Sequence, residues 1–154
     1  MTVQGSEERT QSEHAQQERA LWELERQFWT GDASFHAANL APEAWMLLPA
    51  PAGLMSRTES LQALAQAPRW SEVAFSETKM LAPGDGVALL VYAVEASRGG
   101  HSDNMHSDSA HSDNAHADNA HSDEEQAPYR AWCSSAYLRT PSGWRLLLHQ
   151  QTPR

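Results

Sequence analysis

After Pro68 the hydrophobic pattern of this 154-residue chain changes its period, and that change restricts the fold more than any other feature. Before it, in HAQQERALWELERQFWTGD, Leu21, Leu24 and Phe28 recur at helical spacing, while Glu23, Glu25, Arg26 and Gln27 take the other side and Gly31 follows as a stop. A second short helix is expected across Ala33 to Leu40, ending before Pro42. AWMLLPAPAGLM, residues 44–55, is apolar but broken by Pro49, Pro51 and Gly53, which suits an edge strand followed by a turn. Ser56-Arg57-Thr58-Glu59 then has the spacing of a capping box, so a third helix should begin there, bury Leu61 and Leu64, and stop before Pro68. Beyond that point strands are expected in WSEVAFSETKML, VALLVYAVEAS (87–97), YRAWCSSAYLRT (129–140) and WRLLLHQQT (144–152), with turns at Pro83-Gly84-Asp85-Gly86 and Thr140-Pro141-Ser142-Gly143. Helices followed by a meander of strands predict an α+β fold with an antiparallel sheet.

One segment fits neither period. Residues 101–125, HSDNMHSDSAHSDNAHADNAHSDEE, repeat a five-residue unit, with His101, His106, His111, His116 and His121 each two residues before an aspartate. Neither a helix nor a strand would align those histidines on one face. The repeat lies between two expected strands, where a loop tolerates length at about 0.6 kcal/mol per doubling. We read it as a low-complexity insert spanning 99–127, with the five histidines as weak metal ligands of low selectivity, since no fixed outer shell is in sight. It holds Asp103, Asp108, Asp113, Asp118, Asp123, Glu124 and Glu125, seven acidic residues and no basic one. The chain's formal charge of −9 therefore falls to −2 without it. A near-neutral remainder lacking a basic stripe argues against nucleic acid as a partner.

The polar residues 1–12 predict a disordered tail, leaving a single domain over 13–153 that the insert interrupts. The one cysteine, Cys133, forms no intramolecular disulfide. No apolar run approaches the roughly 20 residues needed to span a bilayer, and the N-terminus lacks a signal-peptide core, so a cytoplasmic protein without a membrane partner is expected.

The order of LERQFWTGD (24–32), LLPAPAGLMSRTESLQAL (47–64), Ala67-Pro68-Arg69-Trp70, Leu90-Val91-Tyr92, Cys133-Ser134-Ser135-Ala136-Tyr137 and the ending from Gly143 to Pro153 resembles the nuclear transport factor 2-like superfamily, in its SnoaL-like branch. The resemblance covers about residues 18–153 outside the insert. It implies a cone-shaped, cystatin-like roll: three N-terminal helices on a strongly curved antiparallel sheet, a small-molecule pocket between them, and commonly a homodimer. It also implies chemistry of the kind done by isomerases, cyclases and hydratases on apolar carbonyl compounds, or else a non-catalytic dimerisation or stress-associated module with a vestigial pocket.

Proton transfer beside a carbonyl needs an ionisable group in a dry cavity and a donor opposite it. His149, the one histidine inside an expected core strand, is the candidate base, with Tyr92 as its catalytic partner; Tyr137 and Glu95 are further polar candidates. Trp45, Trp70 and Trp132, with Tyr137, are the candidate ligand contacts. Asp32 reads as a turn or cap residue and Asp85 as a turn residue. No phosphate-binding glycine loop, nucleophile elbow or paired-cysteine zinc site is present, so no cofactor is implied. If the Thr140–Gly143 turn pairs Arg139 with Trp144, His149 falls opposite Ser134. One hairpin face then carries Cys133, Tyr137, Trp144, Leu146 and Leu148, the other Trp132, Ala136, Leu138 and Leu147. Both faces are apolar, which calls for cover on both sides, helices on one and a second subunit on the other.

Deleting residues 101–125 should leave the melting temperature nearly unchanged. Calorimetric titration with zinc or nickel should give more heat for the full chain than for the deletion, and equal heats would remove the metal reading.

Overall fold

The first helix, α1, spans Gln4–Thr30 and ends where Gly31 bonds back to the Gln27 carbonyl at 2.6 Å. A Cβ at Gly31 would lie 2.5 Å from that oxygen, so the stop depends on glycine. The computed structural model describes residues 4–99 and 127–154. Residues 4–12, expected to be a disordered tail, are helical. From Gly5 to Ala20 nearly every side chain is exposed. That half of α1 therefore rests on the helix propensity of its Gln, Glu, Arg and Ala residues and not on packing.

Asp32 starts the second helix, α2 (Ala33–Asn39), by accepting a 2.9 Å bond from the Phe35 N–H, the capping role expected of it. Strand β1 (Leu40–Leu48) follows at once and pairs with β2 (Gly53–Ser56). Ser56 then closes the capping box of α3 (Arg57–Gln66), its N–H donating to the Glu59 carboxylate at 2.8 Å. The remaining strands are β3 (Glu72–Gly84), β4 (Val87–Ser97), β5 (Tyr129–Thr140) and β6 (Gly143–Pro153).

The six strands form one open sheet in the order β2-β1-β6-β5-β4-β3, so β2 is the edge strand and β1 lies inside it. All neighbours are antiparallel except β1 and β6, which run parallel, and the sheet is mixed where antiparallel pairing was expected throughout. No hairpin constrains that pair; everything from β2 to β5 serves as the long crossover that parallel strands require. Strands β4 and β5 pair from Val87↔Leu138 to Ala96↔Tyr129, so the chain leaves the sheet for the insert and re-enters it at neighbouring positions. The five histidines of the repeat lie outside the described residues.

The register of the last hairpin starts as expected, with Arg139 opposite Trp144, and then shifts by one between Ala136 and Tyr137. This bulge at Leu147 changes which side chains share a face. Leu146 and His149 both point inward with Cys133, Ser135 and Tyr137, whereas Leu148 is turned out and 42% exposed. His149 consequently lies opposite Ser135, not Ser134. The core fills the inner face, with Leu21, Phe28 and Trp29 of α1 packed over Leu90, Tyr92 and Tyr137. Among the described residues, no helix is long and apolar enough to cross a membrane.

Candidate functional site

Between the helices and the inner sheet face lies a cavity of about 550 Å³. The end of α1 contributes Phe28 and Trp29, α2 His36, β1 Met46 and Leu48, α3 Ser60 and Leu64, and the α3–β3 connection Arg69 and Trp70. Arg98, Tyr129, Leu146, His149 and Gln151 complete the lining on the sheet side. The walls are mostly apolar, as in sites that take small organic molecules.

Behind His149 sits a group that the sequence reading had put on the solvent side of the helix. Glu25 of α1 is fully buried, and its carboxylate accepts hydrogen bonds from the hydroxyls of Tyr92 on β4 and of Tyr137 and Ser135 on β5. The Ser135 bond is 2.7 Å long, and His149 Nδ1 lies 3.4 Å from the same carboxylate. Trp29 donates its indole N–H to Tyr92 at 2.8 Å, tying a second α1 residue into the cluster. Burial by itself would raise the Glu25 carboxyl's pKa. The His149 imidazole and the Tyr137 and Tyr92 hydroxyls outweigh it and hold the group below its ordinary value. Burial and then the Glu25 charge push both tyrosines well above 10, so their hydroxyls stay protonated as donors.

The proton positions follow from the donor inventory. Tyr129 donates to Gln151 Oε1 at 2.9 Å, which turns the Gln151 amide N–H toward His149 Nε2 at 3.1 Å. Nε2 is then an acceptor and the ring proton sits on Nδ1, which donates to Ser135 Oγ at 2.7 Å while Ser135 passes its own proton to Glu25. Trp29 packs edge-on against the imidazole, with ring centroids 5.9 Å apart. The result is a fixed imidazole whose unprotonated nitrogen is on the cavity side and whose other nitrogen is backed by a buried carboxylate. Such an arrangement can take a proton and stabilise the imidazolium that results.

Of the candidates read from the sequence, His149 and Trp70 line the cavity. Tyr92 and Tyr137 lie behind its wall, on Glu25, and do not touch the space. Trp45 and Trp132, expected as walls, are 46% and 40% exposed on the outer sheet face, where strand alternation puts them; Arg154 stacks over Trp132 at 4.8 Å. Glu95 is an exposed partner of Arg130 at 2.8 Å. Cys133 is buried, and burial together with the Glu25 charge pushes its thiol up to about 12, which leaves it protonated. Sequence reasoning missed Glu25, Ser135, Gln151, Tyr129, His36, Ser60 and Arg69. For Glu25 a signal existed: it stands four residues after Leu21 and three before Phe28, inside the apolar stripe. His36, also on the cavity wall, bonds the Asp32 carbonyl through Nδ1 at 2.8 Å, and burial pulls its pKa down. Among the described residues, no group of three or more His, Cys, Asp or Glu side chains is placed to hold a metal ion.

Glu25→Gln should cost about 3 kcal/mol in denaturant unfolding, because hydroxyls and an imidazole lose their buried anion. The folded pKa of Glu25 lies below its ordinary 4.5, so its contribution is complete above that pH and is lost as pH falls through the folded value. Melting temperatures followed from neutral pH downward should therefore drop more steeply below pH 4.5 in the wild type than in Glu25→Gln.

No family model matches the chain, and neither does any curated protein. Solved structures do. An NTF2-like protein from Cytophaga hutchinsonii superposes with a TM-score of 0.62 at 8% identity, covering 89% of this chain and 98% of that one. A candidate calcium/calmodulin-dependent kinase II association domain from Exiguobacterium sibiricum gives 0.60 at 16% identity, over 92% and 93% of the two chains. A candidate ketosteroid isomerase from Parabacteroides distasonis gives 0.59 at 11% identity, over 87% and 85%. With three helices on a mixed six-stranded sheet, the chain has the nuclear transport factor 2-like fold.

Proposed function

We propose that this protein binds a small, largely apolar carbonyl compound in the cavity and moves a proton beside its carbonyl, as an isomerase, cyclase or hydratase, with His149 as the base. The observation that carries this reading is the Glu25–Ser135–His149 chain ending on the wall of an open cavity of about 550 Å³. In the step proposed, the Gln151 amide turns off His149 Nε2, the C–H bond next to the carbonyl breaks, its proton goes to the freed nitrogen, and its electron pair moves into the enolate. Return of the proton to another carbon completes an isomerisation without any redox partner. Glu25 offsets the imidazolium, and Ser135, Tyr92 and Tyr137 are positioning residues that keep Glu25 ionised and in place. Trp70 is the ligand contact among the aromatic candidates. The rival reading, a module with a vestigial pocket, is disfavoured by the volume left open between the tryptophans, which falls in the range of about 300–1,000 Å³ usual for small-molecule sites.

Homodimerisation is the second part of the proposal. A row of side chains crosses five strands of the outer face in register, Leu81, Leu89, Ala136, Leu148 and Trp45, with Leu47, Val91 and Trp132 beside it. Leu81, Trp45, Leu148 and Trp132 are 53%, 46%, 42% and 40% exposed, a contiguous apolar row of the kind that marks an association surface. A second copy turned by a twofold axis would cover row with row.

Two experiments test these readings. A thermal-shift screen of ketones and enones should give a hit whose protons beside the carbonyl exchange with deuterium from solvent faster with protein than without. His149→Ala should slow that exchange by about 10²-fold or more; unchanged exchange with retained binding would remove His149 from the mechanism. Light scattering after size exclusion should give twice the chain mass for the wild type and the monomer mass for Leu148→Glu, and a monomeric wild type would contradict the dimer.

A further inference from the structure

Two residues of the cavity wall each carry a buried polar atom, closed off from the open space, that has no hydrogen-bond partner among the described residues: Ser60 Oγ and Arg69 Nε. One other buried side-chain atom among those residues shares that condition, Arg57 Nε, and Arg57 is not part of the wall. Native interiors pair nearly all such atoms, so the polar groups behind this wall are not fully met by the chain's own packing. The guanidinium of Arg69 is held in position, since its Nη2 donates to the Phe28 and Trp29 carbonyls at 2.7 Å each, at the end of α1. Among the described residues, no Asp or Glu lines the cavity, and none forms an ion pair with Arg69 or Arg98. Arg98 lies on the same wall, its guanidinium 4.3 Å above the Trp70 ring. Burial and then the charge of Arg98 hold the Arg69 guanidinium below its ordinary value, as expected of a cation awaiting an anion.

We propose that the substrate carries a carboxylate, which binds at Arg69 with Arg98 beside it, so that the substrate class is an apolar keto acid and not a neutral ketone. This rests on the reading of the cavity as a small-molecule site with His149 as base. Trp29 relates the two ends: its carbonyl holds Arg69, and its indole packs against His149. The carboxylate and the acidic C–H therefore sit on either side of one residue of the wall, which selects acids whose carbonyl is a few bonds from the carboxylate. The planar guanidinium suits a carboxylate in both shape and charge.

The probes are benzoylpropionate, benzoylbutyrate and levulinate, each compared with its primary amide by calorimetry on the full chain. At least one acid should bind about tenfold more tightly than its amide, and the advantage should shrink as salt is raised. Arg69→Gln should abolish the preference for acid over amide. Because Arg69 also satisfies α1 carbonyls and its loss could unfold the chain, Arg98→Gln is the second variant, and it should reduce the preference severalfold. Amides that bind as tightly as their acids would overturn the carboxylate site and leave the cavity reading standing. No binding by any acid or amide would remove both, and a salt-independent preference untouched by either variant would overturn the assignment to these arginines.

Discussion

A carboxylate with no exposure to water holds this structure together. Glu25 lies on α1, and its partners lie on β4, β5 and β6, so one charge joins the longest helix to three adjacent strands. An unpaired charge in that place would be strongly destabilising. The chain answers with hydroxyl donors from Tyr92, Tyr137 and Ser135 and an imidazole from His149. The partners lie on three strands far from α1 in the sequence, and the cluster forms only when helix and sheet are docked in one arrangement. The same requirement that fixes the docking also orients the imidazole, so stability and site geometry have a common origin.

The bulge in β6 is what lets this happen. With an unbroken register, His149 would have alternated to the face carrying Leu148 in the structure and would have met Ser134. One extra residue at Leu147 turns His149 inward onto Ser135 and sends Leu148 outward. The inner face thus gains its ionisable group and the outer face gains an apolar one. The polar cavity wall and the exposed apolar row on opposite sides of one sheet both depend on a single irregularity in the strand that they share.

Much of the scaffold was legible because it depends on local chemistry. The Ser56/Glu59 capping box, the Asp32 cap, the turn that pairs Arg139 with Trp144 and the positions of the later strands are all written in neighbouring residues. The site was less legible for the opposite reason. Choosing Leu24 as the middle of the α1 stripe rotates the helix by one residue and sends Glu25 to solvent, whereas in the fold Leu24 is half-buried and Glu25 is sealed. Only its partners on β4, β5 and β6, more than 60 residues away, make a carboxylate tolerable there. Trp45 and Trp132 misled because an aromatic side chain reads as core until the sheet shows which face it occupies. Arg69 gave no signal, since a lone arginine after a proline looks like any surface residue.

The buried Glu25 carboxylate, acting through Ser135, keeps the proton of His149 on Nδ1 and leaves Nε2 unprotonated, an acceptor for the Gln151 amide at the cavity wall. Long-range proton–nitrogen NMR correlation on histidine-labelled protein at neutral pH reads this directly, with His149 assigned by its loss in His149→Gln. The account predicts a protonated Nδ1 and an unprotonated Nε2. A His149 ring carrying its proton on Nε2 would contradict it.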